Sequence, residues 1–420
     1  MASSSLPATR AVTATYDDVW IADGVARTPF ADYDGTLRDV SPTDLGIKAA
    51  RATLERSGFE PERIDAVIAS NVAQSSFDAY YLARHIGLYS GVPIEVPALV
   101  VQRLCTSGFE ALLQAADGIQ LGKLGAALCV GTESMSRNPV ASYSMRHGFR
   151  MGQVDFKDFL REATLDTAPG IRMGDTAERL AERYQITRSE VDSFAAESFA
   201  RAVGAREKGF HAGETVSLFP ETFEREGYAP RKVALPRGVK SVDADEHPRA
   251  TTLDALGALK PAFKGVQTGG NSSAIVDGAA AAIVVKGEAL GGAKPLARIV
   301  AAATVGVPPE IMGIGPAPAI RAVLEKAGLT LADIDRFEIN EAFGAQYLAV
   351  ERELGLDRSK VNVNGGAIAI GHPLGATGVR CTTTLARELV RSGKRYGIAS
   401  ACAGGGQGVA ILIENAAAAE

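Results

Sequence analysis

Cysteine, histidine and tryptophan are scarce in this chain: four, five and one in 420 residues. Four cysteines, at 105, 129, 381 and 402, cannot form the disulfide framework of a secreted scaffold at this size. They read as reduced thiols in a cytosol-like compartment, so a cytoplasmic location is expected. Long apolar runs are missing too. The longest, AAAAIVV at 279–285, falls far short of the roughly 20 residues that a membrane span needs. The opening MASSSLPATRAVTATYDD lacks the apolar segment of a secretory signal and reads as a disordered lead-in, with a short organelle-targeting segment as the alternative, and the closing ENAAAAE reads as a frayed tail. No excess of positive charge exists. A net charge of -5 and a pI near 5.7 argue against nucleic acid or an anionic membrane as the partner. The His and Asp residues show no metal-ligand spacing.

What is present is a globular composition, 46% hydrophobic and 22% charged, of a length that suits one large globular body or two to three domains. The chain also repeats itself. Residues 49–68 (AARATLERSGFEPERIDAVI) match residues 319–338 (AIRAVLEKAGLTLADIDRFE) at eight of twenty positions, an offset of 270. Each copy reads as an amphipathic helix, a glycine stop, a turn and a strand entry. The same offset sets Gly108 on Gly378 and AALCV (126–130) on YGIAS (396–400). Three matches at one offset predict duplicated α/β halves. In the first half, helices are expected at 42–57, 77–87 and 106–121, and strands at 64–70, 98–103 and 126–130. In the second, helices are expected at 317–327, 342–354 and 376–391, and strands at 334–339 and 396–401.

Between the halves, residues 132–270 carry many charges and few strand-like runs. Residues 188–208 predict one amphipathic helix, with Ser189 and Asp192 at capping-box spacing. Arg225, Arg231, Lys232, Arg237 and Lys240 form a basic stretch that reads as a solvated loop and also as the rim of a site for a phosphate-bearing ligand.

The chemistry concentrates in four segments. Cys105 in VQRLCTSG follows an apolar strand where a helix is about to begin, and free N–H groups and the helix dipole there favour a thiolate. His372 in GGAIAIGHPLGATG lies on a turn, placed to take a thiol proton. Cys402 precedes three glycines, Gly404 to Gly406, whose backbone can approach a ligand and offer N–H groups to an oxyanion. Asn340 in INEAFG ends a strand and is suited to orient a water or a side chain. Cys129 and Cys381, away from any glycine turn, read as packing residues. Two thiols and an imidazole among such loops point to carbon–sulfur acyl chemistry.

These segments resemble the thiolase family, whose members make or cleave 3-oxoacyl-CoA. The resemblance rests on RLCTSG, NEAF (340–343), GHPLGATG (371–378) and CAGGGQG (402–408), in that order. MGDTAE (173–178), DEHPRATT (245–252) and TGGNSSAIVDGAAA (268–281) extend it. It implies a fold of two similar α/β halves stacked as α-β-α-β-α layers, with an inserted loop domain. The expected boundaries are 18–135 with 268–290 for the N-terminal half, 136–267 for the loop domain and 291–415 for the C-terminal half. It implies Cys105 as nucleophile, His372 as its base, Cys402 as acid–base, and Asn340 and Gly404 as oxyanion supports. It also implies coenzyme A as substrate, with no prosthetic group. Ser273 is expected on the pantetheine arm, Met173, Ala342 and Phe343 at the acyl and thioester end, and Arg231 and Lys232 on the phosphates. A homodimer or homotetramer is implied. Arg172 departs from the family pattern, since short-chain members often carry His before the MG pair. The nearest rival class, condensing synthases on the same fold, uses one cysteine with a His/His or His/Asn pair.

Overall fold

A computed structural model of the chain describes residues 10–143 and 145–419. Ten strands matter here: β1 (Ala11–Thr15), β2 (Val19–Ala22), β3 (Ala66–Ser70), β4 (Ala98–Val101), β5 (Ala126–Glu133), β6 (Val276–Lys286), β7 (Pro295–Gly306), β8 (Arg336–Ile339), β9 (Tyr396–Ala403) and β10 (Gln407–Asn415). Eight helices accompany them: α1 (Pro42–Ser57), α2 (Leu82–Tyr89), α3 (Ser107–Gln120), α4 (Met173–Tyr184), α5 (Arg188–Glu207), α6 (Pro316–Ala327), α7 (Gly344–Leu354) and α8 (Leu374–Ser392).

The repeat is real in three dimensions. α1 and α6 both begin with proline in the first turn, where its missing N–H costs nothing. Both end on a left-handed glycine, Gly58 (φ 63°) and Gly328 (φ 68°), a conformation that side chains resist. The strands that follow, β3 and β8, both start 270 residues apart, as do β5 and β9. β3 runs parallel to β4 and β5, and β5 pairs antiparallel with β6. In the second half β8 runs parallel to β9, which pairs antiparallel with β10, and β10 with β7. β2 pairs with both β6 and β7, so the two halves share a continuous path of strands.

The order of layers follows from which faces are apolar. β5, β6, β9 and β10 are buried almost throughout and need cover on both sides. α1 and α2 cover the first sheet from outside, α6 covers the second, and α3 and α8 pack together between the sheets. This is the α-β-α-β-α stack. The repeat-related Gly108 and Gly378 touch where α3 meets α8, and a Cβ on Gly108 would come within 2.8 Å of the Gly378 nitrogen. Backbone contact there brings the N-termini of α3 and α8 together, and with them the segments that hold Cys105 and His372.

Four local expectations change. The lead-in is partly ordered, because residues 11–15 form β1 against residues 301–305 of β7, and residues 1–9 lie outside the described residues. The tail is not frayed at its start: the Asn415 side chain caps a turn over Ala416–Ala418. The helix expected at 77–87 is a 3-10 turn over Ala79–Tyr81 followed by α2. The capping box of α5 is Thr187 with Glu190, not Ser189 with Asp192. The Glu190 N–H donates to Thr187 Oγ1 at 3.3 Å, and the Thr187 N–H to Glu190 Oε2 at 2.7 Å. Asp192 is buried and accepts from Arg188 and Asn271. Among the described residues no helix is long and apolar enough to cross a membrane.

Candidate active site

Cys105 lies in the short link between β4 and α3. Leu104 before it holds φ at 47°, a left-handed conformation that a leucine adopts only when its surroundings impose it. The Ser107 hydroxyl ties the link, accepting from the Arg103 N–H at 2.7 Å and donating to the Leu104 carbonyl at 2.7 Å. The N–H groups of Gly404 and of Cys105 itself both reach the Cys105 sulfur. Despite them, burial pushes the thiol up to about 11, and the charge of Glu133 adds to the shift. The thiolate expected from the helix position is therefore not the resting form. Burial outweighs the helix N-terminus, and the resting residue is a thiol.

His372 follows Gly371, whose φ of 108° and tight seat against Val276 exclude a side chain. Its Nδ1 lies 2.6 Å from Thr377 Oγ1, and that hydroxyl donates to the Pro373 carbonyl at 3.1 Å. The threonine proton is thus committed elsewhere, so Nδ1 carries the imidazole proton and Nε2 keeps its lone pair. Asn340 Nδ2 faces that Nε2 at 3.4 Å. Burial, helped by the Arg380 charge, pushes His372 down to about 3. The imidazole is neutral across the physiological range and able to accept a proton at Nε2.

Cys402 is fully buried behind the cavity wall at the end of β9, packed with Met312 and Ala342 and flanked by Met173 and Phe343. Burial raises its pKa, and a negative charge on Cys105 raises it further. The two thiols therefore sense each other. Asn340 is fully buried, held by its N–H to the Ser400 carbonyl at 2.9 Å, and its Oδ1 has no protein partner. Cys129 and Cys381 are buried away from these groups.

A cavity of about 340 Å³ opens onto Cys105, His372 and Gly404. Met173, Ala342, Phe343 and Ser273 line it as well. Ser273 is fixed by its N–H to the Ala342 carbonyl at 3.1 Å. Sequence reasoning missed several of the wall residues: Leu104, Met135, Phe263, Met312 and Leu374. Phe263 meets Phe343 edge-on at 6.3 Å and lies against Gly174, where a side chain would collide with its ring. The aromatic in PAFKG beside TGGNSS was the available signal. Arg172 also lines the cavity.

Arg231 and Lys232 do not line this cavity. The Arg231 guanidinium pairs with Asp44 and Asp78, each at 2.6 Å, and Arg225 donates to the carbonyls of Leu88 and Val92. Arg225 and Arg231 thus brace α1 and the ends of α2, while Lys232 is exposed. Replacing Arg231 by alanine leaves two buried carboxylates without their cation and is expected to cost about 2–3 kcal/mol of stability by chemical denaturation. The Michaelis constant for coenzyme A is expected to stay unchanged. Among the described residues no group of three or more His, Cys, Asp or Glu could hold a metal ion.

Two family models cover nearly the whole chain: the thiolase N-terminal domain over residues 19–288 and the thiolase C-terminal domain over residues 293–415. The chain belongs to the thiolase family. The mitochondrial 3-ketoacyl-CoA thiolase of Homo sapiens is 45% identical over 397 residues, covering 93% of this chain and 97% of the relative. An acetyl-CoA acetyltransferase of Pseudomonas aeruginosa is 42% identical over 394 residues, covering 92% and 97%. The crystal structure of human mitochondrial 3-ketoacyl-CoA thiolase in complex with CoA superposes with a TM-score of 0.88 at 44% identity, covering 95% of this chain and 98% of that one. As a thiolase the protein is an acyltransferase. It catalyses reversible acyl transfer between 3-oxoacyl-CoA plus CoA and acyl-CoA plus acetyl-CoA, with coenzyme A as substrate. The cytoplasmic expectation does not stand, because the mammalian relatives at 45% identity are mitochondrial enzymes. Reduced thiols mark a reducing environment and do not distinguish one such compartment from another.

Proposed function

We propose that this thiolase works through Cys105 as nucleophile, His372 as the base that receives its proton, and Cys402 as the acid–base at the α carbon. In cleavage, the Cys105 sulfur attacks the 3-oxo carbon while its proton passes to His372 Nε2. The N–H groups of Cys105 and Gly404 receive the negative oxygen of the tetrahedral adduct. The carbon–carbon bond then breaks, leaving the acyl group on Cys105 and the enolate of acetyl-CoA. Cys402 gives its proton to that enolate. A second coenzyme A, deprotonated by Cys402, carries the acyl group away, and His372 returns the proton. Asn340 positions His372 through Nδ2, while Oδ1 is free to hold a water against the enolate oxygen. The observation that carries this reading is the convergence of two backbone N–H groups on the Cys105 sulfur in a cavity shared with a neutral His372.

Ser273, Met173, Ala342 and Phe343 form the coenzyme A side of the cavity in this reading. Leu104, Met135 and Leu374, apolar and beside Cys105, form the acyl side. Residues 18–135 with 268–290 act as the nucleophile half, 291–415 as the base half, and 136–267 as a loop domain over the cavity. Coenzyme A-dependent cleavage of 3-oxoacyl-CoA from four to sixteen carbons tests the whole scheme. Cleavage of one or more lengths is expected, and no cleavage at any length would refute it.

A dimer is the expected assembly. β4 is a sheet edge with an exposed Leu99, and Phe77, Tyr80 and Tyr81 are exposed large apolar side chains of the same half. Such surface costs solubility unless another chain covers it. Light scattering at micromolar protein is expected to give at least twice the 43.8 kDa chain mass, and a monomeric mass would contradict the dimer.

A further inference from the structure

One buried acid has no part in the mechanism above. Glu133 ends β5, is completely buried, and accepts four N–H donors. Oε1 takes Asn71 Nδ2 and the Ala73 N–H, each at 3.0 Å. Oε2 takes the Val72 N–H at 3.1 Å and the Gly375 N–H at 3.0 Å. The first three donors belong to the N-terminal half, and the fourth belongs to the helix that begins beside His372. Helix α8 cannot cap itself, because its N-cap is Pro373 and no side chain of its own reaches the first-turn N–H groups. Glu133 supplies that cap from the other half. Ser70 completes the grip, its hydroxyl donating to the Gly375 carbonyl at 2.8 Å. Both backbone polar groups of Gly375 are thus held by side chains of the nucleophile half. No side chain fits there, since a Cβ on Gly375 would come within 2.6 Å of the Thr132 carbonyl and 2.7 Å of the Ser70 carbonyl.

We infer that Glu133 is a positioning residue: its carboxylate, with the Ser70 hydroxyl, clamps the turn that carries His372 onto the half that carries Cys105. The clamp works through three residues of one turn. Gly375 is fixed, Pro373 and Thr377 flank it, and Thr377 and the Pro373 carbonyl set the His372 tautomer. The two halves meet at this site through the helix ends, so an error of about 1 Å in the turn moves the base away from the sulfur, a displacement that can cost on the order of 100-fold in rate.

The group must be a carboxylate. Each oxygen faces two donors, so an amide in its place sets an NH2 against two N–H groups. Burial pushes Glu133 up to about 7 even against the N–H donors that favour its charged form, so at about pH 8 most of it is ionised. The charged or titratable neighbours are Asp277, which raises it further, and the Cys105 thiol, whose ionisation Glu133 opposes.

This inference rests on the proposed roles of Cys105 and His372, and the test separates the two. Wild-type cleavage of a 3-oxoacyl-CoA is the control for those roles. In Glu133→Gln, kcat is expected to fall on the order of 100-fold, with the Michaelis constant for coenzyme A within about threefold. Alkylation of Cys105 by iodoacetamide at about pH 9, which needs a thiolate and no base, is expected to stay as fast or become faster, because a negative neighbour is gone. Collapse of the site would also free the thiol from burial and speed its alkylation, so each variant is first shown to keep the wild-type thermal transition; in a folded variant, lost turnover with retained thiol reactivity marks an intact nucleophile beside a displaced base. Ser70→Ala, a milder change, is expected to lower kcat about tenfold with the same pattern, and it decides the question if the glutamine variant does not fold. An active wild type with kcat of the folded variant near the wild-type value would overturn the inference. So would alkylation that falls in parallel with turnover.

Discussion

Cys402→Ser is expected to leave acyl transfer onto Cys105 measurable while condensation of acetyl-CoA falls about 10²- to 10⁴-fold, the usual contribution of a placed acid–base group. The thiol sits fully buried against Met312 and Ala342, and burial keeps it protonated. That state suits the donor of a proton to the enolate. The base role is set by the partner thiol. A negative Cys105 raises the pKa of Cys402, so ionising both at once is disfavoured. Once Cys105 carries an acyl group it has no charge, and that penalty disappears at the step that needs Cys402 as base. A serine hydroxyl is a far weaker acid near neutral pH and cannot alternate in this way. Single-turnover acylation by acetyl-CoA and steady-state condensation, measured on one preparation, separate the two steps. Condensation within tenfold of wild type would remove Cys402 from proton transfer.

Cys105→Ala is expected to remove both directions of the reaction, with a loss of about 10⁴-fold or more, as for other covalent nucleophiles. No other thiol can substitute. Cys129 and Cys381 are buried in β5 and α8, and Cys402 lies behind the cavity wall rather than on it. The substitution removes one sulfur atom from a side chain that borders the cavity, so the fold is expected to remain. Full-length protein with a normal thermal transition and no turnover is the expected result. Retention of more than about a hundredth of wild-type activity would place the nucleophile elsewhere.

Much of this architecture was legible in the sequence because the relevant signals are local. α1 and α6 carry their own proline starts and glycine stops, and the strands after them inherit the same register. The glycine-rich turns around His372 and Cys402 announce close backbone approach without reference to any distant residue. What the sequence hid depends on contacts far along the chain. Arg231 reads as a solvated cation because its partners, Asp44 and Asp78, lie more than 150 residues upstream. β1 reads as a loose lead-in because its partner strand is β7. The 188 region offers two capping patterns, Thr187 with Glu190 and Ser189 with Asp192, and the second fails because Asp192 is taken by Arg188 and Asn271. The Cys105 thiol looked activated by its helix, and burial reversed the sign. Glu133 stayed invisible as a lone acid closing an apolar strand, since the turn it clamps is 242 residues away.

The proposed mechanism puts the acyl group on Cys105. Quenching the enzyme with acetyl-CoA in acid, digesting it and mapping the acetylated peptide by mass spectrometry tests this directly. An acetyl group is expected on the peptide containing VQRLCTSG, on Cys105 and on no other cysteine. Acetylation of Cys402, Cys129 or Cys381 with Cys105 unmodified would contradict it.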